Sequence, residues 1–118
     1  MNVEGSASML STTQITESLQ PVFREYGIHK AVLFGSYARG TNTSKSDIDL
    51  LFVMDSDLRF LDRIGVLLPE VYRYIRGPAI ELLVYTPEEL EQISHRPFIR
   101  DILREGIILY ECCIGRIP

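Results

Sequence analysis

Residues 35–49 read Gly-Ser-Tyr-Ala-Arg-Gly-Thr-Asn-Thr-Ser-Lys-Ser-Asp-Ile-Asp, between one apolar run at 31–34 and a second at 50–54. Ten residues separate Ser36 from Asp47. Successive side chains of a β-strand point to opposite faces, so Asp47 and Asp49 project together while Ile48 points away into whatever packs behind the sheet. Two carboxylates held side by side repel each other unless a cation lies between them. Mg²⁺ suits that place, because it takes oxygen ligands, needs only one or two carboxylates and fills its other positions with water and substrate phosphates. Gly35 lets the backbone approach a ligand closely, and Ser36 opens a short helix whose free N–H groups attract phosphate oxygens. Arg39 and Lys45, in the same segment, carry charge that would neutralise phosphate. Each piece alone is a weak signal: Asp-x-Asp often caps a turn, Gly-Ser is often a plain turn, and the two cations also read as surface charges. The ordered set (strand, Gly-Ser, polar connector, Asp-x-Asp, strand) points to a site for a metal–triphosphate complex.

Outward from this stretch the chain divides into short regular elements. The spacing predicts a helix over 12–25 with Ile15, Leu19, Val22 and Phe23 on one face and Ser11 and Gln14 as a capping box. Pro21 lies inside it and marks either a kink or the true start. Gly27 ends the helix and a strand over 29–34 follows. After the strand over 48–54, Asp57 is expected to cap a helix reaching about residue 68. Pro69 is expected to break that helix, with a second piece carrying Val71, Tyr72 and Ile75 to a stop at Gly77-Pro78. A strand over 79–85, a short helix from Pro87, a helix over 97–104 and a strand over 107–110 complete an α/β pattern. Within 79–85, Ile80, Leu82 and Val84 alternate as a buried face and turn Glu81 outward, where it serves either the site or a cross-strand pair. Residues 1–9 read as a flexible amino terminus, 10–112 as one domain and 113–118 as a tail.

Composition narrows the function classes. The chain has 118 residues, 46% hydrophobic, enough for one domain with a real core. A net charge of −4 argues against strong nucleic-acid binding, which uses a basic face. There is no apolar run near 18 residues, and the amino terminus lacks the basic and apolar regions of a signal peptide. The expectation is a soluble, cytoplasmic protein without a membrane partner. Cys112 and Cys113 lack ligand-spaced partners and read as reduced thiols. His29 and His95 read as structural or surface residues. Tyr37 is the tyrosine nearest the signature, where stacking on a base competes with ordinary packing. Arg59, Arg63, Arg73 and Arg76 read as solvated surface, and Ser44 and Ser46 as shaping the turn before Asp47. Apolar residues on the helix faces leave room for a homo-oligomer.

The chain resembles the minimal nucleotidyltransferases, small members of the polymerase β-like superfamily whose signature is Gly-Ser, ten residues, Asp-x-Asp. The likeness continues through Ala79-Ile80-Glu81-Leu82-Leu83-Val84-Tyr85-Thr86-Pro87-Glu88-Glu89, similar to the family's later strand and the helix start after it. Residues 98–111 are similar to its closing helix and strand, so the resemblance covers roughly residues 10–111. It implies a two-layer α/β fold, a mixed sheet of about four strands with helices packed on it. It also implies ATP as substrate and two Mg²⁺ ions held by Asp47 and Asp49. Glu81 would complete the second metal site and take the acceptor proton, while Gly35 and Ser36 grip the β/γ phosphates and Arg39 steadies them. The family's third carboxylate is usually Asp. Glu81 reaches about 1.5 Å further, and misplacing a reacting group by about 1 Å can cost on the order of 100-fold. Many stand-alone members are antitoxins that transfer AMP to a tyrosine of an all-helical HEPN-type toxin. With no room here for an acceptor-binding domain, the acceptor is expected on another chain. Two alternatives stay open: a catalytically decayed module that neutralises its partner by contact, and a nucleotidyltransferase acting on a small molecule such as an antibiotic.

Overall fold

A computed structural model describes residues 10–112; the expectations for 1–9, for 113–118 and for Cys113 lie outside the described residues. Helix α1 is Thr12–Glu25, begun by the expected capping box: Gln14 N–H donates to Ser11 Oγ at 3.0 Å and Ser11 N–H to Gln14 Oε1 at 2.8 Å. Its inner stripe is Ile15, Leu19, Val22 and Phe23, each at most 1% exposed. Pro21 sits inside the helix instead of starting it. Strand β1 is Lys30–Phe34, α2 is the single turn Ser36–Arg39, and β2 is Ile48–Val53. Then come α3, Phe60–Tyr74, and β3, Ile80–Tyr85, followed by α4, Pro87–Ile93, α5, Pro97–Glu105, and β4, Ile107–Glu111.

The four strands form one mixed sheet in the order β3-β2-β1-β4. β2 runs parallel to β3, and the other two pairings are antiparallel. A parallel neighbour requires a long crossover, and α3 supplies it. α1 and α3 cover one face of the sheet, where Phe23, Leu33, Leu50, Phe52, Leu67, Val71 and Val84 form the main core. On the opposite face a smaller cluster joins Val32, Leu51 and Val53 to Ile99 and Ile102 of α5, with Leu90 and Ile93 of α4 packed against it. Central strand β2 is therefore apolar on both sides from Leu50 onward. Asp49 is the polar exception, on the same face as Leu51 and Val53.

Two helix expectations need correction. Asp57 does not cap α3: the N-cap is Arg59, without a side-chain bond, and Ser56 Oγ instead accepts from Leu58 N–H at 3.0 Å. Nor does Pro69 break the helix. The carbonyl it orphans belongs to Gly65, and both residues lie on the exposed side, where that carbonyl is open to solvent instead of being buried unpaired. Buried Leu67 and Val71 hold the helix to the sheet on either side of the proline.

A third correction concerns Arg63, which is 4% exposed and not surface. Its Nη1 and Nη2 donate to Glu89 Oε1 and Oε2 at 2.7 and 2.8 Å. Nη1 also donates to the Val84 carbonyl at 3.0 Å and Nε to the Leu58 carbonyl at 2.9 Å. Glu89 in turn closes a capping box with Thr86 at the start of α4. One guanidinium thus ties α3, β3 and α4 together. Arg59, Arg73 and Arg76 are exposed as expected.

Candidate active site

The end of β1, the starts of β2 and β3, and α5 surround a cavity of about 370 Å³. The sheet register builds its acidic side. Asp49 pairs across to Phe34 of β1 and to Glu81 of β3, so the Asp49 and Glu81 side chains stand next to each other on the α5 face. Ile80 and Leu82 are buried on the other face, and that alternation turns Glu81 into the cavity. β3 is an edge strand, and Tyr72 Oη accepts the Ile80 N–H at 2.8 Å, fixing the strand where Glu81 leaves it.

The Asp49 carboxyl is pushed up to about 6. Burial is the largest cause. The negative charge of Glu81 and a hydrogen bond shared with it come next, and then the charge of Asp47. Arg39 pulls the other way. A carboxyl that shares a proton with its neighbour is poorly compensated by the protein alone, and a cation placed between the two would replace that proton.

Gly35 forms the floor. Its φ of +75° is open to glycine and strained for other residues. A Cβ there would collide with Asp49 Oδ2 and would lie 3.0 Å from Asp49 Cγ. Gly35 is also the N-cap of α2, so no side chain covers the first turn of that helix. Gly35→Ala is expected to destabilise the protein by roughly 2 kcal/mol or more, from backbone strain and collision together. Urea unfolding measures this, and an unchanged midpoint would contradict the close packing of Asp49 on Gly35.

The structure brings Gly35, Arg39, Asp49 and Glu81 to one cavity. Ser36 and Asp47 are not in its lining. Asp47 is exposed just before β2 begins and reaches the site through its charge on Asp49. Among the described residues, no three acidic, histidine or cysteine side chains are grouped closely enough to hold a metal ion by themselves. Tyr37 is 7% exposed and belongs to the main core, so it is packed and not open to a base. His29 makes an exposed contact with Asp55 at 3.2 Å, and Cys112 is a free thiol.

Sequence reading missed the wall contributed by α5. Phe98, Asp101, Ile102 and Glu105 line the cavity. They recur at i, i+3, i+4 and i+7, one helix face, and the two acids interleaved with apolar residues were the available signal. Gly106 brings that helix close. A Cβ there would lie 2.5 Å from Val32 Cγ1 and 2.6 Å from the Ile102 carbonyl.

A mixed sheet that presents carboxylates beside a glycine turn is the arrangement of a nucleotidyl-transfer domain, and comparison with known proteins agrees. Residues 15–110 match the nucleotidyltransferase domain family, and the chain belongs to that family. Two similar proteins of Methanocaldococcus jannaschii each bear the name "Putative protein adenylyltransferase". One is 39% identical over 83 residues, covering 70% of this chain and 79% of that protein. The other is 36% identical over 104 residues, covering 82% and 69%. The fold is shared with a Sulfolobus solfataricus crystal structure named "putative nucleotidyltransferase" (TM-score 0.57, 23% identity, 85% of this chain and 79% of that one). It is shared also with a chain of a toxin-antitoxin crystal structure with AMP-PNP (TM-score 0.58, 21% identity, 87% and 75%). No helix among the described residues is long and apolar enough to cross a membrane.

Proposed function

We propose that this nucleotidyltransferase moves AMP from ATP to a hydroxyl of a partner protein, in the cytoplasm, as antitoxin of an all-helical HEPN-type toxin. One observation carries the reading: Asp49 and Glu81 stand in register on adjacent parallel strands, with Asp49 seated on Gly35 at the wall of one cavity. The names of the M. jannaschii relatives favour a protein acceptor, and the toxin-antitoxin structure of like fold favours a partner toxin.

The donor set fits Mg²⁺. Carboxylate oxygens are its ligands, and an ion shared with substrate phosphates and water needs only a few of them from the protein. Asp49 and Glu81 would hold it at the cavity wall, with Asp47 adding negative charge beside Asp49, and it would supply charge stabilisation for the attacking and leaving oxygens. In the reaction the acceptor oxygen bonds to the α-phosphorus, the bond to the β-phosphate oxygen breaks, and pyrophosphate leaves. Glu81 takes the acceptor proton. Gly35 and Ser36 hold the β/γ phosphates and Arg39 offsets part of their charge.

The test is intact-mass analysis of the protein incubated with the product of its neighbouring gene, Mg²⁺ and ATP, beside the double variant Asp47→Asn/Asp49→Asn. The expected result is a gain of one AMP residue on the partner, absent with the variant. A stable complex without any mass change would instead support neutralisation by contact.

A further inference from the structure

Phe98 is the outlier among the aromatic residues. Phe23 and Phe52 are fully buried, whereas Phe98 is 61% exposed and lines the same cavity as Asp49 and Glu81. α5 does not need it as an anchor, since Ile99 and Ile102 are buried against the sheet. Among the described residues its one ring contact is with Phe34, centroids 6.0 Å apart and planes at 84°. An edge-to-face contact steadies a ring and, whichever ring presents its edge, leaves at least one face of Phe98 open. Phe34 is the register partner of Asp49, so this aromatic corner sits on the same row of the sheet as the acids.

We propose that Phe98, steadied by Phe34, is the platform on which the nucleobase of the nucleotide stacks. The proposal rests on the reading that the cavity takes a nucleoside triphosphate, and adds where its base lies. An aromatic face binds a base through its π-surface, mostly without hydrogen-bond readout. The phosphates would then extend from Phe98 past Asp49 toward Gly35 and Arg39, across the cavity these residues share.

The chain contains no tryptophan, so Phe98→Trp places a single indole reporter at the platform. With Mg²⁺ present, ATP is expected to quench its emission and inorganic tripolyphosphate to leave it unchanged. Phe98→Ala is expected to weaken ATP about tenfold or more while tripolyphosphate affinity stays the same, and Phe98→Tyr to restore ATP affinity. Exposure of the ring makes these variants compatible with the fold, and circular dichroism checks that. ATP affinity unchanged by Phe98→Ala would overturn the proposal, including the case where that variant loses its partner protein instead. If the unaltered protein binds neither ATP nor tripolyphosphate, the proposal falls together with the reading beneath it. Tripolyphosphate binding that survives Phe98→Ala without any ATP preference in the unaltered protein sinks the platform alone.

Discussion

Asp49→Asn is expected to lower the rate of nucleotidyl transfer by about 1,000-fold or more and, at the same time, to make the cation-free protein more stable. Both effects follow from one cause. The carboxyl is held at about 6 by burial and by Glu81, against 3.8 when unperturbed. Between those values the folded protein binds more protons at this position than the unfolded chain does. Stability of the cation-free protein therefore falls as pH rises from near 4 through 6, and the loss is complete above that range. Asp49 is only partly buried, so solvent screening reduces the effect to about 1 kcal/mol. Asparagine keeps the shape and removes the titration. In EDTA its urea midpoint should exceed that of the unaltered protein at about pH 7.5 and converge with it only below about pH 4. Added Mg²⁺ should stabilise the unaltered protein and leave the variant unmoved. A variant less stable at both pH values would show that Glu81 does not press on Asp49.

How much of this was legible in the sequence depended on the range of the interaction. Ser11, Gln14 and the stripe Ile15, Leu19, Val22 and Phe23 act within a few residues of one another, and α1 appeared as read. The alternation at Ile80, Leu82 and Val84 likewise told which way Glu81 faces. That Glu81 meets Asp49 is a matter of register between strands separated by a whole helix, which periodicity does not specify. Pro69 shows the opposite failure. A local breaker signal was overridden because burial on the far side of α3 holds the helix together. Phe98 was legible only as an apolar residue near a helix start. Its exposure depends on where α5 crosses the sheet, and Gly106 sets that crossing by permitting close approach.

Arg63 was misread for the same reason, and it gives the largest expected change in stability. An arginine among others at irregular spacing looks like surface until its partner, 26 residues away, is in place. Glu89→Ala leaves a guanidinium that is 4% exposed without its counter-charge. Removing one member of a buried pair costs about 3–5 kcal/mol. The Glu89 side chain is 41% exposed, so water reaches the gap and the lower end, near 3 kcal/mol, is expected. The variant also loses the bond that the Thr86 N–H donates to Glu89 Oε1. Adding Arg63→Met to Glu89→Ala should recover much of the loss, because no buried charge then remains. Acid offers an independent check. The hydrogen bond from Arg63 holds the Glu89 carboxyl below its usual 4.5, so its contribution is present above that pH and is lost as pH falls through the lowered value. Glu89→Gln should lack that acid-side loss. The pair lies at the end of β3 away from Glu81, so these variants should leave Mg²⁺–nucleotide affinity of the folded protein unchanged. Urea midpoints and nucleotide titrations on the same samples separate the two properties. A double variant no more stable than Glu89→Ala would mean that the buried charge was never the cost, and that lost packing and capping were.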